Sequence, residues 1–479
     1  MIGREVAMNW TLALPEIVLG ISGLCILLVG VLRRGESFFL TSALAIGAML
    51  AAAALVLGSL SGSAFGGQFI ADPFSAFVDV IILAAGVLAI MLSLDFNERE
   101  QIARFEYPVL MVLSVTGMLV MVSASDLITL YLGLELQSLC LYVLAAFARD
   151  SLRSSEAGLK YFVLGALASS LLLYGISLVY GFSGSTNFLH LARAAAAGGA
   201  PIGLVVGVVF VLAGLIFKIS AVPFHMWTPD VYEGSPAPVT AFLGTASKLA
   251  AMALILRVML SPFGHLVPQW RLLIELVSIA SMVLGALAAI GQTSIKRLMA
   301  YSSIGHMGYA LFGLAAGTQS GVRGVLVYMI LYVFMFTGSF ACIIAMRRKG
   351  RAVEKIADLS GLARSDPALA LAFAIFMFSM AGIPPLAGFF SKLYVFLAAV
   401  QQGLWTLAVI GVLTSVVGAF YYIRIVKVIY FETGDAAFDR RPAALSFVLA
   451  STGIFTTFFF LLPAPIVDAA QAAARVLFG

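Results

Sequence analysis

Charge is what this sequence has least of: 11% of its 479 residues are charged, against 62% hydrophobic, at a mean hydropathy of +1.07. A water-soluble globular domain carries charge on about a quarter of its residues, so that class is excluded. Cysteine is scarcer still. Cys25, Cys140 and Cys342 all fall inside apolar runs with no ligand spacing among them, which places them in core packing and predicts neither a disulfide nor a metal site. Also missing are a phosphate-cradling glycine-rich loop ending in Lys-Ser/Thr, a GxGxxG opening a βαβ unit, a Cys or His cluster and a haem motif. The chain therefore offers no site for a nucleotide or redox cofactor, and any energy it uses must come from an ion gradient or a partner. Basic residues outnumber acidic ones, 28 to 23, but they stand singly or in short groups between apolar runs, which excludes a nucleic-acid surface.

What is there is apolar run after apolar run. A hydrocarbon core of ~30 Å needs roughly 20 apolar residues per helix. Runs and their punctuators predict spans near 11–32, 38–60, 73–94, 107–124, 127–148, 157–182, 202–232, 237–260, 272–291, 298–317, 321–346, 367–400, 405–430 and 444–462, an all-α polytopic membrane protein of about fourteen transmembrane helices. The stretch 10–32 has no small-residue cleavage site and reads as an uncleaved first span. Connections after odd-numbered spans hold Arg33, Arg34, Arg99, Arg104, Arg149, Arg153, Lys296, Arg297, Arg347, Arg348, Lys349, Arg351, Lys355, Arg364, Arg440 and Arg441. The other side and both termini hold only Arg4, Arg193, Arg271, Arg323 and Arg475. By the positive-inside rule the first set is cytoplasmic and both termini are periplasmic.

Two spans, 202–232 and 367–400, run past thirty residues and carry prolines in the middle: Pro223 in one, Pro384 and Pro385 in the other. They are expected to be broken helices, because backbone freed inside a bilayer is tolerated only where protein or a wet cavity receives it. A pair of broken spans five helices apart points to an inverted repeat, with Ser220-Ala-Val-Pro223 set against Met380-Ala-Gly-Ile-Pro384.

Few charges lie within the helical runs. Lys160 follows Glu156 at i, i+4, and Arg257, Arg424 and Lys427 are near enough to helix ends to snorkel. Lys218, Lys248 and Lys392 have no such escape, and Glu135 lies ~12 Å into its helix at 1.5 Å per residue. A charge at the bilayer centre costs about 2.5–3.5 kcal/mol on insertion scales, so four of them need a compensating role. Burial moves carboxyls and amines toward values at which they exchange protons near neutrality. His225 beside the first break and His306 in 298–317 are possible relays, since imidazole titrates there unaided. The competing readings are a static Glu135–Lys218 ion pair, backbone-satisfied histidines, and Ser302 and Ser303 as packing residues.

The stretch from Ser294 to Tyr309, Ser-Ile-Lys-Arg-Leu-Met-Ala-Tyr-Ser-Ser-Ile-Gly-His-Met-Gly-Tyr, resembles the signature of the antiporter-like, proton-conducting membrane subunits shared by respiratory complex I and multisubunit cation/proton antiporters. Within that group, the segments Tyr232–Phe242 and Gly382–Tyr394 resemble the subunit-N family of bacterial NADH:quinone oxidoreductases, and the likeness covers essentially the whole chain. The resemblance implies two inverted five-helix repeats with discontinuous helices seven and twelve: a three-helix segment 1–106, a first repeat 107–260, a second repeat 261–430, and a last helix with tail 431–479. It places the family's key glutamate at Glu135 and its lysines at Lys218, Lys248 and Lys392, with His225 and His306 among polar residues of a central axis. It further implies a bacterial inner membrane, neighbouring membrane-arm subunits and membrane lipid as partners, and FMN, iron–sulfur clusters, NADH and quinone on partner subunits rather than on this chain. Two rivals remain open: an antiporter subunit driven by a gradient, and a non-conducting scaffold.

Overall fold

A computed structural model describes residues 9–33, 37–196, 201–434 and 437–478; Arg4 and Arg34 lie outside them. The chain runs through α1 (Leu14–Leu32), α2 (Phe38–Gly58), a hairpin of β1 (Gly62–Ala64) and β2 (Phe69–Ala71), α3 (Pro73–Arg99), α4 (Glu106–Val122), α5 (Leu127–Ala145) and α6 (Leu152–Ser183). After α7 (Phe188–Ala196) come α8 (Ile202–Ile219), α9 (Trp227–Gly234), α10 (Ala237–Gly244), α11 (Ala246–Leu260), α12 (Val267–Ile290), α13 (Ile295–Ala316) and α14 (Gln319–Ala345). A second hairpin, β3 (Arg347–Arg348) with β4 (Arg351–Ala352), leads to α15 (Leu362–Ser365), α16 (Pro367–Ala381), α17 (Ala387–Gln401), α18 (Trp405–Phe431), α19 (Ala443–Phe458) and α20 (Ala464–Arg475).

Eleven helices among the described residues are long and apolar enough to cross a membrane; α4, α16 and α17 are apolar but shorter. The enclosed centre is the stretch Ala237–Leu260 together with α13 and α14, while α1, α2, α6, α12, α18 and α19 form the rim. Rim side chains such as Leu24, Leu28, Val412 and Val416 point outward more than half exposed, an arrangement that water would penalise and lipid does not. Close approach of helices rests on small residues: a Cβ on Gly285 would lie 2.6 Å from the Gly305 backbone nitrogen, so α12 and α13 touch backbone to backbone.

Both long spans break. α8 stops at Ser220, whose φ of 62° is left-handed, and α16 stops at Gly382 with φ 92°. Each end closes with the same pattern: Ala221 N–H donates to Ile216 O and Ile383 N–H to Phe378 O, the six-to-one bond of a Schellman cap. Ser220 therefore corresponds to Gly382, two residues later than the sequence pairing of Ser220 with Met380. Val222-Pro223 and Pro384-Pro385 follow as cis peptides. A third break separates α10 from α11 at Thr245 (φ −113°, ψ −85°), where the Thr245 hydroxyl donates back to Ala241 O at 2.7 Å. No proline announces it; the signal is Gly244-Thr245, a flexible residue followed by one whose hydroxyl competes for helix carbonyls.

Two expectations fail. Cys25, assigned to the core, faces outward from α1, whereas Cys140 and Cys342 are buried. α7, in the connection expected after 157–182, and α20, in the expected C-terminal tail, are amphipathic helices of 9 and 12 residues, too short to cross a membrane. Arg257 does not snorkel. It is 4% exposed and makes a bidentate pair with Asp72, at 2.8 and 2.9 Å, with its guanidinium 4.8 Å over the Phe74 ring.

Candidate functional site

Asp126 caps α5, accepting from the Ile128 and Thr129 amides, and this fixes the turn from which Glu135 projects toward α6. Glu135 is half-buried, and the Ser169 hydroxyl donates to its Oε1 at 2.5 Å while also reaching Tyr131 at 3.2 Å. Three residues along the same face of α5, Ser138 receives a hydrogen bond from Lys218 Nζ at 2.6 Å, and Tyr142 receives a longer one at 3.3 Å. The Lys218 ammonium sits over the Tyr142 and Phe217 rings at 5.4 and 5.7 Å. Glu135 and Lys218 make no ion pair within 4 Å: a serine stands where the static-pair reading needs a carboxylate.

Beyond the first break, Trp227 stacks on Tyr161 at 4.4 Å and its indole N–H donates to Phe217 O, which ties α9 to α6 and to the last turn of α8. Here four hydroxyls are buried without a protein partner: Ser220, Thr228, Tyr232 and Ser235, with Thr228 and Tyr232 four residues apart on α9. The Tyr232 ring lies 5.4 Å beneath the Lys248 ammonium. Lys248, fully buried one turn after the Thr245 break, donates to Ser303 at 2.6 Å, and Ser303 is bonded to the Tyr332 hydroxyl at 2.7 Å.

His306 continues the line on α13. Its Nδ1 meets the Tyr328 hydroxyl at 2.6 Å and its Nε2 the Tyr422 hydroxyl at 3.1 Å, and Tyr422 is bonded to Ser302 at 2.5 Å. The imidazole centroid is 5.1 Å from the Tyr332 ring, so the Lys248 and His306 clusters abut. A cavity of about 10 Å³, room for about one water, is lined by His306, Tyr309, Lys392, Ser415 and Tyr422. On its far side Lys392 donates to Ser415 at 2.8 Å and to Ala381 O at 3.0 Å, so its ammonium caps the C-terminal end of the broken α16.

Of the six expected residues, the structure brings Lys248, His306 and Lys392 into one continuous polar cluster and sets Glu135 and Lys218 in a second, joined through α5. His225 stands apart in the loop after the break, half-buried, with its Nδ1 buried and unpartnered. Sequence reasoning missed the connecting groups, above all Tyr142, Tyr232, Tyr328, Tyr332, Tyr422, Ser138 and Ser415. Ser302 and Ser303, read as packing residues, are links. The available signal was Tyr328 and Tyr332 at i, i+4 in an otherwise apolar α14: two hydroxyls on one helix face need buried partners.

The other buried cations are held differently. Arg257 pairs with Asp72, Lys296 with Glu354 at 3.1 Å and Arg347 with Glu100 at 2.7 Å. Lys160 salt-bridges Glu156 as its spacing predicts, and Asp230 as well, both at 2.7 Å. The hydrogen bonds of Lys218, Lys248 and Lys392 go only to hydroxyl and carbonyl oxygens among the described residues.

Residues 124–418 match the family described as NADH:quinone oxidoreductase/Mrp antiporter, TM. The NADH-quinone oxidoreductase subunit N of Granulibacter bethesdensis is 63% identical over 477 residues, 98% of this chain and 100% of that protein. Its counterpart in Rhodospirillum rubrum is 57% identical over 471 residues, 97% of each chain. Among solved structures, a chain of respiratory complex I from Thermus thermophilus superposes with a TM-score of 0.83 at 32% identity, covering 96% of this chain and 99% of that one. A chain of the Mrp complex from Dietzia superposes at 0.86 with 22% identity over 98% of each, a likeness of fold alone. With relatives this similar over its whole length, the chain belongs to the NADH-quinone oxidoreductase subunit N family, antiporter-like membrane-arm subunits of a proton-pumping complex.

Proposed function

We propose that Glu135, Lys218, Lys248, His306 and Lys392 carry the protons that this membrane-arm subunit translocates. One observation supports the assignment above the rest: the three lysines make no ion pair, whereas Arg257, Lys296 and Arg347, buried as deeply as Lys218 and Lys248, each hold a carboxylate. A buried ammonium bonded only to neutral oxygens releases its proton without stranding a counter-charge; an arginine bidentate to a carboxylate cannot. Serine and tyrosine hydroxyls suit such a line because each donates and accepts and can reverse direction after a proton passes. Water completes the hydrogen bonding of Ser220, Thr228 and Tyr232 between Lys218 and Lys248, and of the cavity between His306 and Lys392. His225, off this line, has the lesser role of contacting water at the break.

The architecture that serves this is fourteen crossings, obtained when α8 with α9, α10 with α11, and α16 with α17 count as one span each and α4 and α13 are included. α4–α11 and α12–α18 form the two inverted repeats, within the segments 107–260 and 261–430. The loops rich in basic residues lie in the cytoplasm and both termini in the periplasm. FMN, iron–sulfur clusters, NADH and quinone belong to partner subunits, whose electron transfer changes the charge at Glu135 and Lys218.

The test is proton pumping per electron in the assembled complex reconstituted into vesicles. Glu135→Gln and Lys218→Met are expected to lower the ratio with assembly and flavin content intact. An unchanged ratio in both would leave the subunit a scaffold, and a native assembly without flavin or iron–sulfur clusters would make it an antiporter subunit.

A further inference from the structure

A groove of about 670 Å³ opens along α4, α5 and α6, at the end where the α3–α4 and α5–α6 loops meet. Its wall is apolar: Val143, Phe147, Leu159 and Phe162 line it, and Val143, Leu159 and Phe162 are 53, 64 and 48% exposed. Its floor reaches Tyr142, the same tyrosine whose hydroxyl receives Lys218. Four charged residues stand at its mouth, two of each sign: Arg104 and Arg149, Glu106 and Asp150. All four are exposed, and none makes an ion pair within 4 Å among the described residues, although they share one rim.

An apolar trench within membrane-crossing helices, ending in two free cations and two free carboxylates, matches one kind of molecule. A soluble anion has no use for the trench, and an anionic lipid headgroup would face two carboxylates. A headgroup with one phosphate and one ammonium satisfies both pairs. Choline carries the same charges but has no N–H to donate, so a primary ammonium fits the carboxylates better. We propose that this groove is a binding site for a single membrane phospholipid of the ethanolamine type. Arg104 and Arg149 take the phosphate, Glu106 and Asp150 take the ammonium, and an acyl chain lies along Val143 and Phe162. The site has a consequence for the Lys218 cluster. Filled by hydrocarbon, the groove keeps bulk water from the Tyr142 hydroxyl and confines Lys218 to its internal partners.

The site is read by photolabelling the purified whole complex in vesicles. The probes are phospholipids with a diazirine in the acyl chain and an ethanolamine, choline or phosphoglycerol headgroup, and the labelled peptides are mapped. The ethanolamine probe should label the α5 and α6 segments around Val143 and Phe162 about fivefold more than the other two, the discrimination expected when ~1 kcal/mol depends on ammonium N–H bonds to the carboxylates, which neither choline nor phosphoglycerol can supply. The double variant R104A/R149A should lose that preference while labelling of the α19 surface stays unchanged. E106Q/D150N should let the phosphoglycerol probe label as well as the ethanolamine one. Equal labelling by all three probes would reduce the groove to ordinary bilayer contact, and no labelling there while α19 is labelled would assign it to a neighbouring subunit; either result overturns the proposal.

Discussion

Two cations on one helix divide the molecule. Lys248 and Arg257 both lie on α11, nine residues or about 13 Å apart, and both are buried in the same densely packed centre. Arg257 holds Asp72 through two hydrogen bonds, and Asp72 in turn forms a capping box with Ser75 at the start of α3. Lys248 holds one serine. The first arrangement ties the N-terminal helices to the centre of the bundle through a charge that never changes. The second leaves a charge that can change, because nothing ionic is bound to it. On the proposed role of Lys248, burial alone does not distinguish a structural cation from a translocating one; the partner does.

That contrast is open to being broken. The largest effect should come from Asp72→Ala, which strands the buried Arg257 guanidinium and removes a helix cap: the cost expected is about 3–5 kcal/mol, read as loss of the assembled chain from membranes or a lower melting temperature. Lys248→Met should do the opposite on stability, leaving it unchanged or raised because an uncompensated charge is replaced by a side chain of similar shape, while pumping falls by more than about tenfold, ~1.4 kcal/mol or more on the limiting step. If the two substitutions destabilise alike, the distinction between the two cations is lost. Tyr332→Phe removes one hydroxyl from the Lys248–Ser303 cluster and should slow pumping by roughly three- to tenfold with assembly intact, on the scale of one hydrogen bond of about 1 kcal/mol. Ser415→Ala should be milder, about two- to threefold, since Lys392 keeps its bond to Ala381 O.

Much of this was legible in the sequence, and what was not has identifiable causes. The membrane class, the two broken spans and the intramembrane charges Glu135, Lys218, Lys248 and Lys392 follow from hydropathy and from the cost of charge in a bilayer. The long Pro-containing runs pointed to the right places, though the equivalence of the two breaks emerged only from their left-handed residues, Ser220 and Gly382. The Thr245 break was hidden because it depends on a local Gly-Thr pair rather than on proline. Arg257 was misjudged because its partner Asp72 is 185 residues away, a separation over which spacing carries no information. The tyrosine links were overlooked for a related reason. A tyrosine in an apolar helix counts as hydrophobic in any hydropathy window, and only the packed bundle shows that Tyr332 meets Ser303 and that Tyr328 and Tyr422 meet the same imidazole.

The central claim is that the lysines of this line change protonation state and the buried arginine does not. Pumping per electron in the reconstituted complex, compared between Lys248→Arg and Arg257→Lys, tests it most directly. A guanidinium at 248 stays protonated under all working conditions. The account predicts that Lys248→Arg loses most pumping in a complex that still assembles, and that Arg257→Lys pumps at close to the normal ratio with somewhat lower stability. Normal pumping by Lys248→Arg would contradict it.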